Sequence, residues 1–145
     1  MATVRELLEG KGTRAVHTIG PKATVLQGTL LMREHQIGAL VVLDEGHVVG
    51  IFTERDVLWK VIAEQRDPTQ TSVGDVMTVE VICCGPETTI DEARSAMKNR
   101  RIRHLPVAAD GQLVGVISIG DLNAHQEASQ EQTLFLMSEY IYGRV

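Results

Sequence analysis

Apolar residues recur at helical spacing in two stretches of this chain, and each stretch is followed by two short apolar runs. Val25, Thr29 and Met32 mark the first stretch; Ile90, Ala93 and Met97 mark the second. Each opens on a capping box, Thr24-Val25-Leu26-Gln27 and Thr89-Ile90-Asp91-Glu92, in which a Thr hydroxyl can accept from the backbone N–H three residues on. Strands are predicted over 39–43 and 48–52 in one copy and over 105–108 and 113–117 in the other. Asp44-Glu45-Gly46 and Asp110-Gly111 supply the turns between them. A further helix is predicted from Thr53 and from Ser118, the first carrying Val57, Leu58, Val61 and Ile62 with Trp59 nearby. The predicted order is strand, helix, strand, strand, helix, written twice.

The two copies are in strict register. Gly50-Ile51-Phe52-Thr53-Glu54-Arg55-Asp56 recurs as Gly115-Val116-Ile117-Ser118-Ile119-Gly120-Asp121, a shift of 65 residues. The same shift carries Gly20-Pro21 to Gly85-Pro86, Met32 to Met97, Ile37 to Ile102, Leu40 to Leu105 and Gly46 to Gly111, with no gap. A unit of about 55 residues buries too little surface to be comfortable alone, so its sheet is expected to pack on that of its twin about a pseudo-two-fold axis.

Composition narrows the function. The 145 residues are 43% hydrophobic and 23% charged, an ordinary globular balance, with aromatics at only 3%. A net charge of −5 without a basic stripe argues against nucleic acid and against an anionic membrane surface as partners. No apolar run has the roughly 18 residues of a membrane span, and the acidic start lacks a signal pattern, so a cytoplasmic protein is expected. Cys83 and Cys84 are adjacent, which strains a disulfide between them and lacks the gap of a zinc site; they read as small core or strand-end residues. His17, His35, His47 and His125 show no ligand spacing and read as surface residues. No nucleophile elbow, acid–base carboxylate pair or phosphate-binding Gly-rich loop is present, so neither an enzyme nor a metal protein is expected.

The heptads Gly50-x-x-Thr53-x-x-Asp56 and Gly115-x-x-Ser118-x-x-Asp121 sit behind Ile37-Gly38-Ala39-Leu40-Val41-Val42 and Ile102-Arg103-His104-Leu105-Pro106-Val107. Together they resemble the tandem cystathionine-β-synthase (CBS) domain pair, the Bateman module, over about residues 14–126. The resemblance implies an α/β (α+β) fold of two tandem CBS units packed through their sheets, plus terminal helices. The expected divisions are an N-terminal helix over 1–13, CBS units over 14–66 and 79–126, a linker with a short helical turn over 67–78, and a C-terminal helix over 127–145. Leu134, Met137 and Ile141 would give that last helix an apolar face for a subunit contact.

In that family the cleft between the two units holds an adenosine-containing ligand: AMP, ADP, ATP, S-adenosylmethionine or NAD(H). Carried over, Asp56 with Thr53 and Asp121 with Ser118 would hold ribose and phosphate. The adenine would lie against Ile37-Gly38-Ala39 and Ile102-Arg103-His104, with Ala23 and Thr88 closing the base pockets. Arg103 and His104 would serve the phosphate of the Asp121 site, and Arg55 is the local cation of the other. A carboxylate suits a ribose diol, and exposed N–H groups at a helix start suit phosphate. Read without the family, each heptad is also a capping box and nothing more, and Lys98, Arg100 and Arg101 form a solvated turn. The expected function is a homodimeric sensor that needs no cofactor and binds a regulatory adenosine nucleotide, AMP foremost. It would pass that state to a partner protein that the sequence does not identify. The rivals are a structural dimerisation module with empty clefts and a regulator of a redox enzyme such as thioredoxin.

Overall fold

The structure, a computed structural model, describes residues 2–10 and 16–129. The C-terminal helix expected over 127–145, with Leu134, Met137 and Ile141, lies outside them from residue 130 onward. Two compact units are present among the described residues: 16–83, and 84–129 together with 2–10. Both are mixed α+β, with six α-helices and two small sheets among the described residues.

In the first unit, β1 (Thr18–Ile19) pairs in parallel with β2 (Ala39–Asp44), which pairs antiparallel with β3 (His47–Thr53). Glu45 and Gly46 both take positive φ, 51° and 82°, the twist a tight hairpin turn needs. Helix α2 (Val25–His35) precedes β2, and its capping box is complete: the Gln27 N–H donates to Thr24 Oγ1, and the Thr24 N–H to Gln27 Oε1. After β3 come α3 (Glu54–Asp56) and a π-helical turn, Val57–Ile62. Val25, Met32, Leu40, Val42, Phe52 and Val61 form the core together with Val73 and Val76 of α4 (Val73–Val76).

The second unit repeats this plan. Helix α5 (Ile90–Arg100) carries the Thr89–Glu92 capping box. Strands β4 (His104–Ala109) and β5 (Gln112–Ser118) pair antiparallel around Asp110 and Gly111, again both at positive φ. Helix α6 (Ile119–Ser129) follows. In place of a β1 equivalent there is a single parallel bridge, Cys84 to Val107, matching Ile19 to Val42. Its core uses Ile90, Ala93, Met97, Leu105, Val107, Ile117 and Leu122, with Val4 and Leu7 of α1 (Val4–Gly10) also buried.

Each unit also takes in a short helix from the segment that precedes the other repeat. Thr3-Val4-Arg5-Glu6-Leu7 and Ser72-Val73-Gly74-Asp75-Val76 share a pattern of hydroxyl, Val, any, acid and apolar. Thr3 bridges Thr89, and Ser72 bridges the equivalent Thr24. The Val4 N–H donates to the Thr88 carbonyl and the Val73 N–H to the Ala23 carbonyl, both at 2.8 Å. These small helices set a condition on the heptads. A Cβ at Gly50 would lie 2.6 Å from Met77 Sδ and 2.9 Å from the Thr78 carbonyl; one at Gly115 would lie 2.7 Å from Leu8 Cδ2. The leading glycine of each heptad is therefore explained by close packing against the incoming segment.

Candidate functional site

The antiparallel register brings the two halves of each motif together. In the first unit Ala39 pairs with Thr53, and the Glu54 N–H donates to the Gly38 carbonyl at 3.1 Å. In the second, His104 pairs with Ser118, and the Ile119 N–H donates to the Arg103 carbonyl at 2.9 Å. The start of one strand thus lies beside the hydroxyl at the end of the next and the helix that follows. Ile37 packs against the core, so its side chain has a structural task as well. Ala23 and Thr88 occupy the turns before α2 and α5, where their carbonyls anchor α4 and α1; Thr88 Oγ1 also accepts from the Gly85 N–H at 3.1 Å.

Both heptads cap their helices. The Thr53 N–H donates to Asp56 Oδ2 at 2.9 Å, and the Asp56 N–H donates back to Thr53 Oγ1 at 3.3 Å. The Ser118 N–H donates to Asp121 Oδ2 at 2.7 Å, and the Asp121 N–H to Ser118 Oγ at 3.0 Å. Capping alone accounts for this local geometry.

Beyond the caps the two sites diverge. Asp56 is 4% exposed, whereas Asp121 is half-buried. Lys60 reaches Asp56 Oδ1 at 2.9 Å from one turn along and also donates to the Val76 carbonyl at 2.9 Å. Thr78 Oγ1 donates to the same Oδ1 at 3.4 Å. Arg55, expected to be the first site's phosphate cation, stands over the exposed Trp59 ring at 5.4 Å from its centroid. Neither Lys60 nor Thr78 was singled out from the sequence. The Asp56–Lys60 spacing of four was the available signal for Lys60; nothing in the local pattern marked Thr78.

Charge also differs at the strand starts. The Glu54 carboxylate lies over Gly38, 2.8 Å from where a Cβ would stand. The equivalents of Glu54 and Gly38 are Ile119 and Arg103, so an acid in one unit is replaced by a base in the other. Arg103 is exposed, and His104 half-buried.

Other chemistry-bearing residues fall outside these sites. The Cys84 N–H donates to the Pro106 carbonyl at 3.0 Å and its carbonyl accepts from Ala108 at 2.9 Å, a strand role. Cys83 is exposed, yet desolvation by the surrounding chain pushes its thiol above the ordinary range, away from the thiolate. His17 and His35 stack at 3.7 Å between ring centroids, so His17 is half-buried and not a plain surface residue. No helix among the described residues is long and apolar enough to cross a membrane.

Comparison with known proteins gives one consistent result. The family model of the CBS domain matches residues 4–63 and 73–128. The CBS domain-containing protein YhcV of Bacillus subtilis is 32% identical over 130 residues, 90% of this chain and 89% of that protein. The mitochondrial CBS domain-containing protein CBSX3 of Arabidopsis thaliana is 36% identical, over 97% of this chain and 72% of its own length. Among solved structures, a CBS-domain protein of Burkholderia ambifaria assigned to signal transduction superposes with a TM-score of 0.86 at 38% identity, covering 89% of this chain and 96% of that one. A hexameric CBS-CP12 protein from bloom-forming cyanobacteria superposes with a TM-score of 0.74 at 30% identity, over 84% of this chain and 69% of that one.

Proposed function

The chain belongs to the CBS-domain family, and from that premise we propose that it is a non-enzymatic regulatory sensor of an adenosine nucleotide. The single observation that carries the reading is the register in both units. A carboxylate, a hydroxyl, a helix start and a strand start meet at Thr53–Asp56 with Gly38-Ala39, and again at Ser118–Asp121 with Arg103-His104. The carboxylate suits a ribose diol, and the cation at Arg103 suits a phosphate. AMP is the ligand proposed foremost, its phosphate facing the exposed Arg103.

Self-association belongs to the same proposal. Leu58, Trp59 and Ile62 are 57%, 62% and 58% exposed, an apolar set of the sort that marks a protein contact. The cyanobacterial CBS-CP12 relative is hexameric. A second copy of this chain is the proposed occupant, with a regulated partner engaged by the assembled form.

Calorimetric titration with AMP and 2′-deoxy-AMP tests the ligand reading. AMP should bind, and the deoxy ligand should bind several-fold more weakly because one ribose hydroxyl is lost. Equal affinities would remove the carboxylate–ribose contact and leave the heptads as helix caps.

A further inference from the structure

Asp56 already holds four donors, three of them at 3.2 Å or closer. An ionised carboxylate offers about four lone-pair sites. Oδ2 takes the Thr53 N–H at 2.9 Å and the Thr53 hydroxyl at 3.2 Å. Oδ1 takes Lys60 Nζ at 2.9 Å and the Thr78 hydroxyl at 3.4 Å. A ribose diol can reach this carboxylate only by displacing a partner already in place. The Thr53 bonds belong to the helix cap and are covalently local. Lys60 is the replaceable partner, since its side chain is 47% exposed and rests on an adaptable stem.

We infer that Lys60 is an internal competitor of the ligand at Asp56, holding this carboxylate closed to neutral ribosides. The inference rests on the reading of Asp56 as a ribose acceptor and adds the residue that sets its affinity. Lys60 is well suited to the task. Its second bond, to the Val76 carbonyl at the end of α4, keeps it seated, and Asp56 pairs with it across one turn of the π-helical stretch. The other unit differs at this point, because His125 stands at the position equivalent to Lys60. Displacing Lys60 would also release its hold on α4, so occupancy at Asp56 is coupled to the segment that leads toward the second repeat.

The test is made in the full chain carrying Asp121→Ala, so that binding reports on Asp56. The probe is adenosine, whose lack of charge excludes a direct phosphate effect. Lys60→Met should tighten adenosine binding by about two- to fivefold, the worth of a half-exposed ion pair, and Lys60→Arg should leave it unchanged. Adding Asp56→Ala to Lys60→Met should abolish the gain. Should Lys60→Met fail to fold, salt serves instead. Raising ionic strength weakens the Lys60–Asp56 pair, so adenosine should bind more tightly in high salt. Unchanged or weaker binding in Lys60→Met, or with salt, while Asp56→Ala still lowers affinity, would overturn the competitor role and leave the ribose site standing. Adenosine binding that ignores Asp56→Ala in every background would instead overturn the site itself.

Discussion

The Phe52 ring occupies the space that Gly28 leaves open: a Cβ on Gly28 would lie 2.7 Å from Phe52 Cε2. Phe52 is fully buried. The equivalent positions in the second unit are Ala93, larger than Gly28, and Ile117, smaller than Phe52, and both are buried. The two sequences thus fill these positions with compensating volumes. Gly28→Ala should destabilise by about 1–2 kcal/mol, overpacking outweighing the gain in helix propensity. Phe52→Ile in the same chain should relieve it, with a coupling of about 0.5–3 kcal/mol in a double-mutant cycle of urea unfolding. Strict additivity would mean that the ring shifts freely.

Helix α1 is part of the second unit's core, although it precedes the first repeat in sequence. Leu7→Ala should therefore cost about 2–4 kcal/mol, against less than about 0.5 for the exposed Glu9→Ala. Hydrogen exchange should place the lost protection in β4 and β5. Loss confined to β2 and β3 would contradict the assignment of α1.

At Cys83, partial desolvation favours the neutral thiol over the thiolate. In a Cys84→Ala chain, Cys83 should react with a disulfide reagent more slowly than a short peptide thiol at pH 7.5. The difference should close as pH rises through the raised pKa. Faster reaction at pH 7.5 would revive a redox role for the cysteine pair.

Most of the fold was legible because its signals are local. Thr24 and Thr89 announce their helices by capping, and the turns at Glu45-Gly46 and Asp110-Gly111 announce their hairpins. The shift of 65 residues then lets each unit confirm the other. What escaped is non-local. Nothing near Val4 says that it will bury beside Ile90, and the heptad glycines gave no hint of Met77 and Leu8. At the site, the Thr53–Asp56 and Ser118–Asp121 pairs were legible as caps and as motif. The Lys60 contact was only half legible: spacing allowed it, but the π-helical turn and the Val76 carbonyl that seat it are products of the fold.

The exposed Arg103 has no cationic equivalent at Gly38, where Glu54 lies instead. AMP should therefore be preferred over adenosine mainly at the Asp121 site. Arg103→Ala should remove most of that preference, and in the wild type the preference should shrink between 50 mM and 500 mM salt, both values being about the usual working limits for screening. A phosphate preference unchanged in Arg103→Ala would move the cation elsewhere.

The most direct measurement is calorimetric titration of AMP into the wild-type chain and into Asp121→Ala, each first shown folded by its unfolding transition. If Asp121 accepts the ribose through a charge-assisted bond, the variant should lose about 1.5–3 kcal/mol, roughly 10- to 150-fold in affinity. Equal AMP affinity in the two chains would show that Asp121 only caps α6 and would contradict the sensor reading at that site.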